Sequence, residues 1–370
     1  MASPARRCLQ TVASGDRYRS GRARCAPRAE KHETLRAILP APGTVSSRDP
    51  STRSRSELTP SLVHEAARVA LYAVPEPARR WVRMRRRDAR TTAVDLADLD
   101  TILSEAARRF ETSEDEGRSY LLGVRMVPPP WPTDPFSDAY RAWVFDLYRA
   151  VSGRDDYAVE HESSPFDFDA AVLRPYPFTT GSATIVGDDL LARGALIKAL
   201  GLPAPARVVE FGAGWGNLTS DLVMMGHDVT VVEVDEGFCR LIERRVPEAH
   251  VVRADMLSFA RDPGGGPYDA AVFYESFHHC ADHISMLERL HDVVRTSGVL
   301  VMGAEPIDLL PYPWGLRLDG LSLWSTRRYG WLELGFDERY FARALARTGW
   351  RLAATDGHSA GTATFVATSR

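Results

Sequence analysis

Residues 274–283 read Tyr-Glu-Ser-Phe-His-His-Cys-Ala-Asp-His and concentrate side chains that can do chemistry. His278 and His279 are imidazoles that can take a proton near neutral pH, so either is a candidate general base. Glu305, in Ala304-Glu-Pro306, can orient such a base or an acceptor hydroxyl; pairing with Arg317 as structure is the competing reading. For the histidines the competing reading is that one is buried and hydrogen-bonded and the other caps a helix starting at Asp282. His278, His279, Cys280 and His283 also have the softness that suits zinc or iron. Adjacent histidines rarely converge on one ion, however, and the sequence offers no second ligand cluster, so no metal is expected.

A second constellation is Val208-Val-Glu-Phe-Gly-Ala-Gly-Trp-Gly-Asn217. An apolar run leads into Gly212, Gly214 and Gly216 and then into a helix. Glycines there let the chain turn tightly and let a ligand approach the backbone. The spacing is G-x-G-x-G, whereas a dinucleotide fold uses G-x-G-x-x-G to hold a pyrophosphate on the helix N-terminus. The tighter spacing, with Glu210 just before it, suits a ligand without phosphate. Glu233 follows Gly212 by 21 positions, where an acid can accept both hydroxyls of a ribose. Asp235 is the competing choice. Asp255, followed by Met256, falls where a carboxylate can accept from an adenine amino group.

These residues need a scaffold. From Ala206 the chain alternates short apolar runs (208–211, 229–234, 250–252, 270–274, 299–303) with helical stretches such as 238–245 and 283–296. That alternation predicts a doubly wound α/β sheet. After a helix near 338–348, runs at 351–355 and 363–367 are close enough for a hairpin, so the last strand should be antiparallel. Ligands of such sheets sit beyond the carboxyl ends of the strands. The stretch from Pro311 to Phe336, with Trp314, Arg317, Asp319, Trp324, Arg327, Arg328 and Trp331, is read as a lid or substrate wall. Its indoles can stack on a sugar face, or can be the lid's own core.

Together the motifs resemble the class I S-adenosylmethionine-dependent methyltransferases, over residues 160–370. The resemblance implies a Rossmann-like fold, a seven-stranded sheet with an antiparallel last strand. It implies S-adenosylmethionine as cofactor, held by Glu210, Gly212, Gly214, Gly216, Glu233, Asp255, Met256, Glu275 and Thr180. Tyr176, Trp314, Arg317 and Asp319 would meet the acceptor. Arg174-Pro-Tyr-Pro-Phe-Thr-Thr180 and Trp314-Gly-Leu-Arg-Leu-Asp-Gly320 are similar to a bacterial group associated with saccharide or secondary-metabolite pathways. The implied activity is O-methylation of a sugar-containing or other small hydroxylated metabolite. N- or C-methylation, a protein or nucleic-acid substrate, and a non-methylating role are the alternatives.

The rest of the chain divides by composition. Residues 1–58 are rich in Arg, Ser and Pro and too poor in apolar periodicity to offset ordering entropy, so they read as a disordered tail. Residues 59–160 read as a helical N-terminal region, with helices at 61–74, 95–110 and 136–151 and an extended Pro-rich segment at 127–135. The methyltransferase-like domain follows at 161–370, with its lid at about 306–336. A net charge of −3 gives no signal for nucleic acid. No apolar run is long enough to span a membrane. The four cysteines lack C-x-x-C spacing, which points to a reduced, cytoplasmic setting.

Overall fold

The structure, a computed structural model, describes residues 91–356 and 363–370. The expected tail to residue 58 and the expected helix at 61–74 lie outside the described residues. The strands are β1 (Thr92–Val94), β2 (Val124–Met126), β3 (Arg207–Phe211), β4 (Asp228–Glu233), β5 (His250–Arg253) and β6 (Tyr268–Tyr274). They continue with β7 (Val294–Gly303), β8 (Ile307–Asp308), β9 (Trp314–Leu316), β10 (Leu334–Asp337), β11 (Trp350–Asp356) and β12 (Thr364–Ser369).

Seven strands make one sheet in the order β11-β12-β7-β6-β3-β4-β5. From β7 to β5 every pairing is parallel, and β12 runs antiparallel to both β7 and β11. This is the Rossmann-like sheet with the antiparallel last strand that the alternation predicts. Its central strands are apolar on both sides because helices cover both faces. Val209, Phe211, Ala271, Phe273, Leu300 and Met302 enter one core, while Val208, Ala270, Val272 and Val301 enter the other. The period of two also puts Glu210 on the face of Val208, under the helix Asn217–Met224.

The remaining described elements build a cap. β1 and β2 form a parallel pair, and β8, β10 and β9 form a small sheet. The N-terminal region is therefore not only helical: three-residue strands carry too little periodicity to be read, and their pairing is fixed by neighbours distant in sequence. The helix Asp138–Ser152 buries Tyr140, Val144 and Tyr148 against the segment around β9. The Tyr140 hydroxyl donates to the Trp314 carbonyl (2.8 Å), and that of Tyr148 donates to the Gly330 carbonyl (2.6 Å). The Met126 N–H donates to the Leu318 carbonyl (2.8 Å). The region before residue 160 and the expected lid thus share one core. Among the described residues no helix is long and apolar enough to cross a membrane.

Candidate active site

A cavity of about 1270 Å³ opens at the carboxyl ends of β3, β4 and β6, beneath the cap. Ligand pockets commonly measure roughly 300–1,000 Å³, so this one has room for a cofactor and an acceptor together.

The glycine turn forms its floor. Gly212 has φ +68°, and a Cβ there would fall 2.7 Å from Ser276 Cβ and 3.0 Å from Met256 Cε. Gly214 has φ +48° and nothing within 4 Å of a notional Cβ, which leaves open space where a ligand needs the backbone. Gly212, Gly214, Glu233, Asp255, Met256 and Glu275 all line the cavity. The Glu233 carboxylate accepts the N–H groups of Gly214 (3.0 Å), Val234 (2.8 Å) and Asp235 (3.0 Å), so it braces the turn it serves. Burial raises the Glu233 pKa, and these N–H groups oppose the shift. Asp255 uses one oxygen, Oδ1, to cap the helix Met256–Arg261. Asp235, the competing choice for the ribose, caps the helix Glu236–Arg245 through the Phe238 N–H (2.9 Å).

Three expected cofactor residues stand back from the wall. Glu210 is 1% exposed and accepts from the Thr219 hydroxyl (2.7 Å) on the helix-covered face, so it faces away from the ligand space. Burial pushes its carboxyl up to about 7. Gly216 ends the turn, with Ile242 Cγ1 3.0 Å from a notional Cβ. Thr180 spends its hydroxyl on its own turn, donating to the Pro177 carbonyl (2.7 Å).

The histidine run sits at the other end. Ser276 to His279 turn around the Glu305 carboxylate, which is fully buried. Its oxygens accept from the N–H groups of Ser276 (2.8 Å), Phe277 (2.8 Å) and His278 (3.1 Å), and lie 2.8 Å from His278 Nδ1. Burial alone would raise the Glu305 pKa; His278 and these donors hold it below the usual carboxylate range. His278 lines the cavity and Glu305 lies behind it. His279 Nδ1 lies 3.0 Å from Glu162 Oε2, an ion-pair contact without an aligned hydrogen bond. Burial works to lower the His279 pKa, but Glu162 overrides it and raises it to about 9. Glu275, left-handed at φ +50°, is raised by burial and then by Glu305, although its side chain is open to the cavity and water there relieves part of the shift.

On the acceptor side Tyr176 and Arg317 reach the wall, whereas Trp314 and Asp319 do not. Trp314 is 3% exposed, packed among Tyr140, His283 and Tyr340, with its indole N–H donated to the Pro135 carbonyl (2.8 Å). It is core because the cap needs a large apolar plug. Asp319 accepts from Arg317 Nε (3.1 Å) and caps the helix Gly320–Tyr329. Trp324, Tyr329 and Trp331 form the aromatic wall instead. His283 donates or accepts at Tyr340 (2.7 Å) inside the core, where burial lowers its pKa to about 3.

Sequence reasoning missed several contributors to this wall, among them Arg118, Glu162, Phe166 and Glu333. Arg118 donates to the Tyr176 hydroxyl, and Phe166 stacks on Phe238 at 4.9 Å beside Trp215. None of these four stands in a motif, and each is brought in from a distant segment; only the acid in the lid stretch, Glu333, lay within a region already read as a wall.

The glycine turn, the acid that ends β4 and the sheet order are those of a class I S-adenosylmethionine-dependent methyltransferase domain. Residues 208–298 match the methyltransferase domain family, and this part of the chain is such a domain. A ribosomal RNA small subunit methyltransferase A from Synechococcus sp. is 38% identical over 76 residues, 19% of this chain and 27% of the relative. An uncharacterized methyltransferase from Oceanobacillus iheyensis is 28% identical over 99 residues, 26% of this chain and 46% of the relative. The chain thus spans less than half the length of these curated relatives. The solved 1,6-didemethyltoxoflavin-N1-methyltransferase of Burkholderia thailandensis is 21% identical, with a TM-score of 0.39 over 56% of this chain and 92% of that one.

Proposed function

We propose that the protein is an O-methyltransferase that moves the methyl group of S-adenosylmethionine to a hydroxyl of a sugar-containing or other small metabolite. The observation that carries this reading is the His278–Glu305 pair at the cavity wall, 2.8 Å apart. Nδ1 donates to the buried carboxylate, which leaves the Nε2 lone pair for an acceptor proton.

The turn fits the cofactor: a Cβ at Gly212 would collide with Ser276, and Gly214 leaves the approach open. Glu233 would hold the ribose hydroxyls, Asp255 and Met256 the adenine, and Glu275 the cationic methionine end. Bound there, S-adenosylmethionine supplies an activated methyl group on a sulfonium. The chain's part is to align the acceptor oxygen with that group and to receive the hydroxyl proton at His278 Nε2. Proximity then provides much of the rate. Trp324, Tyr329 and Trp331 offer flat faces to a sugar ring, and Arg317 and Glu333 offer hydroxyl partners. The buried free thiols Cys239 and Cys280 fit a cytoplasmic setting.

The test is to incubate the protein with methyl-labelled S-adenosylmethionine and fractionated extract from its source. Label in a small-molecule or glycan fraction, lost in Glu233→Ala, supports the reading. Label in RNA or protein overturns it. Transfer to nitrogen that survives His278→Gln favours N-methylation on the same scaffold.

A further inference from the structure

We propose that His278, His279 and Glu333 form a binding site for one borderline divalent cation, zinc being the type, and that its occupancy and methyl transfer exclude one another. The second part rests on the reading of His278 as the base; the first does not.

One ligand atom from each of these three residues lies within 4.8 Å of the others. His278 Nε2 is 3.7 Å from Glu333 Oε2. Zinc bonds of about 2.0–2.2 Å need tetrahedral ligands somewhat closer than this, a contraction that small side-chain rotations supply. Two imidazoles and a carboxylate are a donor set that suits zinc, cobalt or iron. The adjacency of the histidines weighed against a metal in the sequence. The structure answers that by bringing the third ligand from the distant cap segment before β10.

The surroundings of the two rings point the same way. Histidine ligands generally have their second nitrogen engaged by a carboxylate, which fixes the ring and makes it a better donor. His278 has this partner in Glu305 at 2.8 Å. His279 has Glu162 Oε2 3.0 Å from Nδ1, and Glu162 is itself fixed by accepting the Leu332 N–H (2.9 Å). Carboxylates on both sides favour a doubly charged ion. The cavity leaves a further coordination position for water.

Exclusion follows from electron counting. His278 Nε2 has one lone pair. Donated to a cation, it is no longer there to accept the acceptor proton, and neither partner changes oxidation state.

The test is to titrate cobalt(II) into the full-length protein without cofactor or acceptor and follow visible absorption. One equivalent per chain should give a coordination band that zinc displaces. Glu333→Gln and His279→Gln should each weaken binding at least about tenfold, with melting curves checking that the variants fold. No band, or unchanged affinity in both folded variants, overturns the site. With an acceptor in hand, zinc should suppress transfer in step with occupancy and EDTA should restore it, with cofactor affinity unchanged. Faster transfer with zinc overturns the exclusion. A cobalt site sensitive to Glu333→Gln in a protein that methylates nothing leaves the site standing and sinks the functional reading alone.

Discussion

The Glu305 carboxylate lies 2.8 Å from His278 Nδ1 and also gathers the N–H groups of Ser276, Phe277 and His278. One anion therefore fixes both the backbone turn that carries the imidazole and the imidazole's orientation. His278→Gln should lower kcat by about a hundred- to ten-thousand-fold, the usual contribution of a general base. Glu305→Gln should lower kcat as well and shift the pH–rate profile, with cofactor affinity nearly unchanged. A Glu305→Gln enzyme with the wild-type profile would remove the carboxylate from the mechanism. Calorimetric titration with S-adenosylhomocysteine supplies the affinity control.

Glu233 holds the glycine turn and, on the proposed reading, the ribose. Glu233→Gln should weaken S-adenosylhomocysteine binding by about 10- to 100-fold, the loss of one or two charge-assisted hydrogen bonds. Calorimetry measures it directly, and an unchanged affinity would mean that the ribose lies elsewhere.

The glycines give a paired test. Gly212→Ala meets Ser276 Cβ at 2.7 Å and sits at φ +68°, so it should destabilise the fold itself, by about 2 kcal/mol or more. Gly214→Ala meets nothing within 4 Å and should cost about 1 kcal/mol through its left-handed backbone alone. Its larger effect should be on cofactor binding. Thermal melts with and without S-adenosylhomocysteine separate the two.

Trp314→Ala should destabilise by about 3–5 kcal/mol, as truncation of a large buried side chain does. In whatever fraction remains folded, acceptor KM should change little. A selective rise in KM without loss of stability would put Trp314 back among the acceptor contacts.

Stability should depend on pH through Glu210, whose carboxyl is raised from 4.5 to about 7 by burial. A raised carboxyl contributes most below its unfolded value and loses that contribution as pH climbs through the folded one. The Glu210 contribution should therefore fall between about pH 4.5 and pH 7, by up to about 3 kcal/mol, against an opposite contribution up to about pH 6.5 from His283, whose pKa burial lowers to about 3; the difference between wild-type and Glu210→Gln melts isolates it. Glu233 and Glu275, also raised, add in the same direction. A cationic ligand favours their charged forms, so S-adenosylmethionine should stabilise more at pH 8 than at pH 6. Equal stabilisation at both would disconnect these acids from the cofactor.

The sheet was legible because its strands are continuous apolar runs that alternate with helical stretches on either side of a glycine turn. Glu233 was singled out by its spacing and Asp255 by its place after the third strand of the domain, and both line the cavity. The wall was not legible in that way. Trp314 and Trp331 are the same residue type seventeen positions apart, and nothing local says that the first is core and the second faces the cavity. Glu162 and Glu333 matter only because the chain brings them to the histidine run from opposite sides. Glu210 illustrates a finer limit: its position beside the turn was readable, but the strand's period of two aims it at Thr219.

The cap's two halves meet through contacts such as Tyr140 to Trp314, 174 residues apart in sequence. Closing so long a loop carries an entropic cost before any contact repays it, which makes such contacts slow to form. The sheet, built from neighbouring β-α-β units, can assemble while the ceiling is still open. During synthesis the segment Asp138–Ser152 must wait, with its aromatic face uncovered, until the residues after 307 have emerged. During that interval an apolar face is open to aggregation, and a chaperone that covers it would protect the yield.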